Sequence, residues 1–180
     1  PGHEITAAGT HGFQQVQNGF RSAYGALWKA IDAKAISPQV DDVLKMGKDA
    51  AQARMGKDAA ADIGKMLDNV KTDLALARTG DHAAEHLSRI DDILRDAASK
   101  ASRDGEVVAA DIYSEVRKVY RNSLHDKVSA TLSDLDSRYR KFAVLQRAAS
   151  TKGAVESKGV FSPSDLVGAL RVADKSAGKR

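Results

Sequence analysis

Apolar residues recur along this chain at steps of three or four positions, with polar residues between them. The first such stripe runs from Phe13 to Ile31, and similar stripes follow over most of the sequence. This spacing places apolar side chains on one face of an α-helix, and no segment alternates over a strand's length. We therefore predict an all-α chain of bundled or extended helices, about six in number, over residues 13–33, 38–54, 57–78, 82–103, 106–148 and 163–174.

Glycine, proline and capping residues mark where these helices start and stop. Pro38 suits the first turn of the second helix, and Gly80 can supply a left-handed C-terminal turn, after which Asp81 can cap the next helix. Gly105 marks the end of that helix. The following stripe continues past a polar Asn-Ser pair, so the pattern leaves open whether one helix or two follow, and the predicted span 106–148 treats it as one.

Composition along the chain divides it into four segments. We expect a loose N-terminal arm over residues 1–12, a helical bundle or extended helical domain over 13–152, a linker over 153–160, and a short C-terminal helix with a basic tail over 161–180. In that last helix, Leu166, Ala169 and Leu170 are expected to face inward. The chain starts at Pro1 without a signal-peptide pattern, so we interpret it as a piece of a longer polypeptide.

One internal repeat stands out, since Met-Gly-Lys-Asp-Ala-Ala occurs at residues 46–51 and again at 55–60. An offset of nine residues rotates a straight helix by about 900°, so the two copies would face opposite sides. Either a helix buried on both faces or a bend at Gly56 follows. The Gly-Lys pairs lack the preceding strand, the further glycines and the Ser/Thr of a phosphate-binding loop.

Composition and charge narrow the functional classes. The 180 residues include no cysteine, which excludes disulfides, thiolate zinc sites and cysteine nucleophiles. Only 5% of the residues are aromatic, and the apolar stripes are rich in alanine. Such a chain has a thin core of its own and small-residue seams that suit packing in trans, so we expect a homo-oligomer. No apolar run is long enough for a membrane span, and contact with a membrane surface is left open.

The net charge of +4 is unevenly distributed, because the segment from residue 138 to the end has ten Lys/Arg against three Asp/Glu. This basic surplus favours non-specific contact with DNA phosphates. The residues that would make it are Arg138, Arg140, Lys141, Arg147, Lys152 and Lys158.

Four aromatic residues lie among basic residues in the second half of the chain. Tyr113, Tyr120, Tyr139 and Phe142 alternate with Arg117, Arg121, Arg138, Arg140 and Lys141. The aromatic rings could stack on bases while the cations bind phosphate. At helical spacing, however, core rings flanked by cations are the more common arrangement, and we favour that interpretation.

A possible catalytic motif, His82-Ala-Ala-Glu85-His86, has the spacing of the inverted zinc-protease pattern. Two imidazoles one turn apart can hold zinc while the glutamate activates water, so a zinc-dependent hydrolase is the alternative from the enzyme class. No partner motif offers a third ligand, and we interpret the motif as the solvated first turn of a helix. We accordingly predict no catalytic residue, metal or cofactor. Adjacent acids such as Asp91 and Asp92 are likewise interpreted as solvated helix faces.

The residues at 139–150 and 159–176 form a recognisable pattern, which resembles a segment of the internal virion or DNA-ejection proteins (DNA transfer proteins) of tailed bacteriophages and prophages. In that segment a helix ends in a pattern like L-x-R-A-A-A, and G-x-F-[ST]-P-x-x-L-x-x-A-x-R-x-x-D-x-S follows a linker. The matching residues after the linker are Gly159, Phe161, Ser162, Pro163, Leu166, Ala169, Arg171, Asp174 and Ser176. Leu170 replaces an expected Val, and the linker here is longer and more basic. Residues 23–27 resemble A-Y-D-A-L of the same proteins, with Gly in place of Asp.

The resemblance covers the last 40 residues well and the first 140 loosely. It implies a structural protein of the particle interior or tail lumen, which packs against copies of itself and other virion proteins and reaches the host cell at ejection. No catalytic residue comes with the matched segment. The expected interaction residues are Phe161, Pro163, Leu166, Leu170 and Arg171. A helical adaptor module is a further alternative that the uneven charge suits equally.

Overall fold

The fold was obtained as a computed structural model that describes residues 9–80, 82–124, 126–156 and 160–177, with the backbone alone for residues 126, 156 and 175–177. Within these ranges there is no strand, which confirms the all-α prediction. The described residues form eight helices, against about six predicted: α1 (Gly9–Lys29), α2 (Gln39–Arg54), α3 (Lys57–Thr79), α4 (Ala83–Asp104), α5 (Val107–Ser123), α6 (Asp126–Ala149), α7 (Lys152–Glu156) and α8 (Pro163–Ala177). A 3-10 turn at Ala33–Ala35 lies between α1 and α2.

The chain divides into two compact units. One, here called the bundle unit, is the continuous segment Leu27–Ala130, and the other, the terminal unit, combines Pro1–Ala26 with Thr131–Arg180. Both α1 and α6 contribute residues to each unit.

The bundle unit is a four-helix bundle in which each helix packs on two others. Helix α2 contacts α3 and α5, and α4 contacts the same two helices. Ion pairs of Lys48 with Asp68 and of Arg78 with Asp41 show that α2 and α3 run antiparallel, because the later residue of one helix meets the earlier residue of the other. Successive helices joined by short connections give the up-down-up-down arrangement.

The core of the bundle unit consists of the stripes that the sequence predicts. Its largest fully buried side chains are Leu44, Leu67, Leu74, Leu87, Ile90, Leu94 and Tyr120, with Val40, Val70 and Val116. Two connections use glycine as expected: Gly80 has φ 96° and Gly105 has φ 78°, which are left-handed conformations that a Cβ would strain. The predicted cap of α4, Asp81, lies outside the described residues.

Of the two arrangements predicted for the internal repeat, the structure has the bend, which separates α2 from α3. Met55 and Gly56 are both extended, with ψ of 162° and 153°, so the second copy starts a new helix. Gly47 in the first copy is buried, and a Cβ there would lie 3.1 Å from a methyl of Leu67 and 3.2 Å from one of Ile112. The first Gly-Lys pair thus allows close helix packing, and the second marks a turn.

The single predicted helix over 106–148 is wrong, because the chain breaks between α5 and α6. Leu124 adopts an extended conformation with φ −71° and ψ 152° and is 2% exposed. The Ser123 hydroxyl donates to the carbonyl oxygen of Tyr120 at 2.6 Å, which satisfies a carbonyl at the end of α5. Burial of Leu124 accompanies a break that has no Gly or Pro to mark it.

Two further spans need correction. Helix α1 begins at Gly9, inside the predicted loose arm, and ends at Lys29 rather than at residue 33. The carboxylate of Asp32 accepts from the backbone N–H of Lys34 at 3.0 Å and so favours a tight turn there. Helix α7 lies largely in the predicted linker, where the Thr151 hydroxyl accepts from the N–H of Ala154 at 3.4 Å.

The described part of the terminal unit contains an aromatic contact between α1 and α6. Phe20 lies 5.4 Å from Tyr139, edge to face, and 5.6 Å from Phe142, while Phe13 lies 5.9 Å from Phe142 between ring centroids. The Tyr24 hydroxyl also donates to Asp136 at 2.7 Å. These pairs show that α1 and α6 run antiparallel.

Candidate functional site

The two histidines of the His-x-x-Glu-His motif have different partners. His82 has a left-handed backbone with φ 52° at the start of α4, and its Nδ1 lies 3.3 Å from a carboxylate oxygen of the exposed Glu85. Nδ1 of His86 lies 2.9 Å from Oδ1 of Asp73, a buried residue of α3 that also pairs with Arg89 at 3.4 Å. Within the described ranges, no group of three or more His, Asp or Glu side chains is arranged to hold a metal ion.

The most buried charge cluster joins α4 to α5. Asp91, 4% exposed, accepts from Arg117 at 2.9 and 3.0 Å and from Arg121 at 2.7 and 2.7 Å, so that each guanidinium binds both carboxylate oxygens. Burial by itself would raise the pKa of Asp91, but hydrogen bonds from Arg121 and Arg117, together with their charges, hold it below the ordinary 3.8. One carboxylate therefore fixes the register of two helices.

Tyr120 lies next to this cluster and is fully buried. Its hydroxyl donates to the carbonyl oxygen of Leu87 at 2.8 Å, a second link between α5 and α4. Burial, and to a smaller extent the charge of Asp91, raises the pKa of Tyr120 well above 10.0, so the hydroxyl stays protonated as a donor at neutral pH.

The interpretation of Asp91 as part of a solvated face is wrong, while its neighbour Asp92 is exposed and pairs with Arg95 at 2.9 Å. A signal for this difference is present in the sequence. Asp91 follows Leu87 by four residues and precedes Leu94 by three, which places it in the buried stripe of α4. A carboxylate in such a stripe needs a cationic partner, and Arg117 and Arg121, one turn apart on α5, supply two.

Three of these four aromatic residues lie in the protein core, as the sequence interpretation favoured. Tyr113, Tyr120 and Phe142 are buried, and Arg117 and Arg121 are engaged by Asp91. Tyr139 is 38% exposed, with its ring packed against Phe20.

The basic residues proposed to contact DNA lie on α6 and just after it. Arg138, Arg140, Lys141, Arg147 and Lys152 are all exposed, and Lys158 lies outside the described residues. Arg138 pairs with Asp134 one turn earlier at 2.9 Å. From residue 137 to 155 the sequence contains no acidic residue.

Helix α8 begins with a cap formed by Ser162 and Asp165. The N–H of Ser162 donates to Oδ2 of Asp165 at 2.9 Å, the Ser162 hydroxyl donates to the same oxygen at 2.7 Å, and the Asp165 N–H returns a bond to that hydroxyl at 3.3 Å. These bonds from Ser162, and one from the Thr151 hydroxyl, lower the pKa of Asp165 below 3.8. Pro163 occupies the first helical position.

Helix α8 has one covered and one exposed apolar side. Ala169 is buried and Leu166 half-buried, as predicted, whereas Leu170 is 45% exposed and does not face inward. Val167 is 46% exposed, so it and Leu170 form an outer apolar row one turn apart. Phe161, immediately before the cap, is half-buried, and Arg171 is exposed.

No family model, curated protein or solved structure matches this chain. In the part of the chain that the structure describes, no helix has both the length and the apolar composition of a membrane span.

Proposed function

We propose that this chain is a structural segment of an internal virion or ejection protein of a tailed phage. It packs against copies of itself and other virion proteins in the particle interior or tail lumen, and it enters the host cell with the genome. The proposal starts from the resemblance of residues 139–176 to such proteins. It needs no active site.

The observation that carries the proposal is the outer apolar row of α8, Val167 and Leu170. Both side chains are close to half exposed, on a helix whose start is fixed by the Ser162–Asp165 cap. A preorganised helix that presents branched apolar side chains to solvent loses little conformational entropy when a second surface covers them. This favours an interaction role.

A hydrolase built on the His-x-x-Glu-His motif receives less support. His86 is engaged by the buried Asp73, and His82 lies at an exposed helix start beside Glu85. Metal analysis of untagged protein tests this directly. Stoichiometric zinc that disappears in a His82→Ala variant would support the hydrolase instead.

The decisive experiment for the location is mass spectrometry of purified particles from a lysate that expresses this chain. We expect its peptides to be enriched with the particles and protected from added protease until the particles are opened. Peptides found only in the soluble fraction would refute the proposed location.

Self-association is tested on the full chain by light scattering over a range of protein concentrations. We expect the wild type to grow in mass with concentration and the double variant Val167→Asp with Leu170→Asp to stay monomeric, because two charges then interrupt the apolar row. The matched control is Ala53→Asp with Ala61→Asp, two exposed positions on α2 and α3, which should associate like the wild type. Unchanged helicity by circular dichroism shows that α8 has not unfolded. Equal association of all three proteins would exclude this row as the contact.

A further inference from the structure

The two units differ in charge. The terminal unit contains 11 Lys/Arg and 6 Asp/Glu, a net charge of +5 over 76 residues, whereas the bundle unit contains 17 and 18, a net charge of −1. The net positive charge of the protein therefore comes entirely from the unit formed by the chain ends. A surface of one sign attracts a partner of the other.

Within the terminal unit, three cations lie on the side of α6 that points away from the aromatic contact. On an ideal helix, Arg140, Lys141 and Arg147 point about 110° to 130° from the direction midway between Tyr139 and Phe142. All three side chains are exposed. These three residues are the outer cations of α6. Arg138 is set apart from them because its guanidinium already pairs with Asp134.

The geometry points to a duplex rather than to unpaired bases as the partner. Proteins that bind single strands present exposed aromatic rings on which bases stack. Here Phe142 is buried, and the ring of Tyr139, although 38% exposed, packs edge to face on Phe20 at 5.4 Å. Three cations beside a single partly covered ring favour contact with phosphates over base stacking, and a duplex offers its phosphates while its bases are already paired.

A lipid surface fits these residues less well. A helix that lies in a membrane interface needs a broad apolar face directed outward beside its cations. On α6 the large apolar rings face α1, and Ala148, which directly follows Arg147, is buried. Two of the three outer cations are arginines, whose planar guanidinium matches phosphate oxygens in a bidentate manner.

We propose that the outer cations of α6 bind the phosphate backbone of double-stranded DNA without preference for base sequence. This goes beyond the proposed function, since it holds for the chain in any particle or cell and does not depend on self-association. Each phosphate that a cation neutralises releases counterions, so the affinity falls steeply with salt.

The test is fluorescence anisotropy of a labelled duplex of about 25 base pairs with the full chain at several salt concentrations. The variant is Arg140→Gln with Lys141→Gln and Arg147→Gln. The control is Lys45→Gln with Lys57→Gln and Lys71→Gln, which removes three exposed charges from the bundle unit and has the same net charge. We expect the variant to bind at least about tenfold more weakly at low salt and its log–log salt slope to be shallower by up to about 2.7, while the control stays near wild type.

Three outcomes would overturn the proposal. The first is an equal loss in the variant and the control, which would show that only net charge matters. The second is tighter binding of a single strand of equal length, or of one duplex sequence over another. The third is binding to vesicles of phosphatidylglycerol without binding to the duplex. Matching circular dichroism spectra for the three proteins show that a loss is not caused by unfolding.

Discussion

Replacing Asp91 with Asn tests whether one carboxylate holds α4 and α5 in register. The variant keeps the size of the side chain and one carbonyl acceptor but removes the negative charge between Arg117 and Arg121. The two guanidinium-bearing side chains are only 23% and 17% exposed, so water compensates little for the lost partner. Removal of one member of a buried ion pair costs about 3 to 5 kcal/mol.

This cost converts into a measurable shift. For a unit of this size, stability falls by about 2 kcal/mol per molar urea, so a loss of about 3 kcal/mol lowers the midpoint by about 1.5 M. The matched control is Asp92→Asn, which breaks an exposed pair with Arg95 and should cost under about 1 kcal/mol. The two variants remove the same charge from adjacent residues and differ in burial.

Fluorescence of Trp28 is the appropriate signal, because it is the single tryptophan of the chain and is buried in the bundle unit. The pH dependence adds a second criterion. The pKa of Asp91 is below 3.8 in the folded protein, so its contribution is fully present above about pH 5 and disappears as the pH falls through the folded pKa. The difference between wild type and Asp91→Asn should therefore shrink in acid. Equal midpoints for the two variants, or a difference that persists unchanged at pH 2, would refute the reasoning.

Three further substitutions probe other contacts. Gly64→Ala places a methyl in open space and should stabilise α3 by about 0.5 to 1 kcal/mol in urea unfolding. Gly47→Ala should stabilise the protein clearly less, because its Cβ would lie 3.1 Å from Leu67. Equal gains in stability for the two variants would contradict the close packing at Gly47. Tyr120→Phe should lose about 1 kcal/mol by the same measurement, since the bond to a backbone carbonyl is removed while the ring remains, and an unchanged midpoint would show that this bond contributes nothing. Asp165→Asn should reduce helicity at pH 7, when the carboxylate caps α8, and should match the wild type once the pH falls below the lowered pKa of that carboxyl; a reduction independent of pH would indicate another cause.

Periodicity and turn chemistry were sufficient to predict most of the helices. The connections at Gly80 and Gly105 and the cap at Ser162 follow from local rules, because their signals lie within a few residues of the structure they specify. The break at Leu124 was missed for the opposite reason. It depends on which distant side chains cover that leucine, and the apolar stripe continues across it with no change of period.

The ion-pair cluster at Asp91 also depends on contacts between residues that are distant in the sequence. The adjacent acids Asp91 and Asp92 together indicate a solvated helix face, but Asp91 is buried because it lies between Leu87 and Leu94 in the apolar stripe of α4. Its partners are 26 and 30 residues away, and only the antiparallel pairing of α4 with α5 brings them together. Leu170 is an apolar residue that the sequence places inward and the structure leaves 45% exposed. It lies at the edge of the apolar stripe of α8, where helical spacing is compatible with either the covered or the exposed side.

The division of the chain also sets an order of folding. The bundle unit is continuous in sequence, and three of its four helix pairs join neighbours in the chain, the fourth being α2 with α5. Such a helical arrangement has a low contact order and forms quickly. The terminal unit closes only when Phe13 and Phe20 of the first helix meet Tyr139 and Phe142, about 120 residues later in synthesis. During translation the aromatic side chains of α1 therefore lack their partners on α6 while the bundle unit folds. A chaperone that binds exposed aromatic side chains would find its target in α1 and would be released when α6 leaves the ribosome.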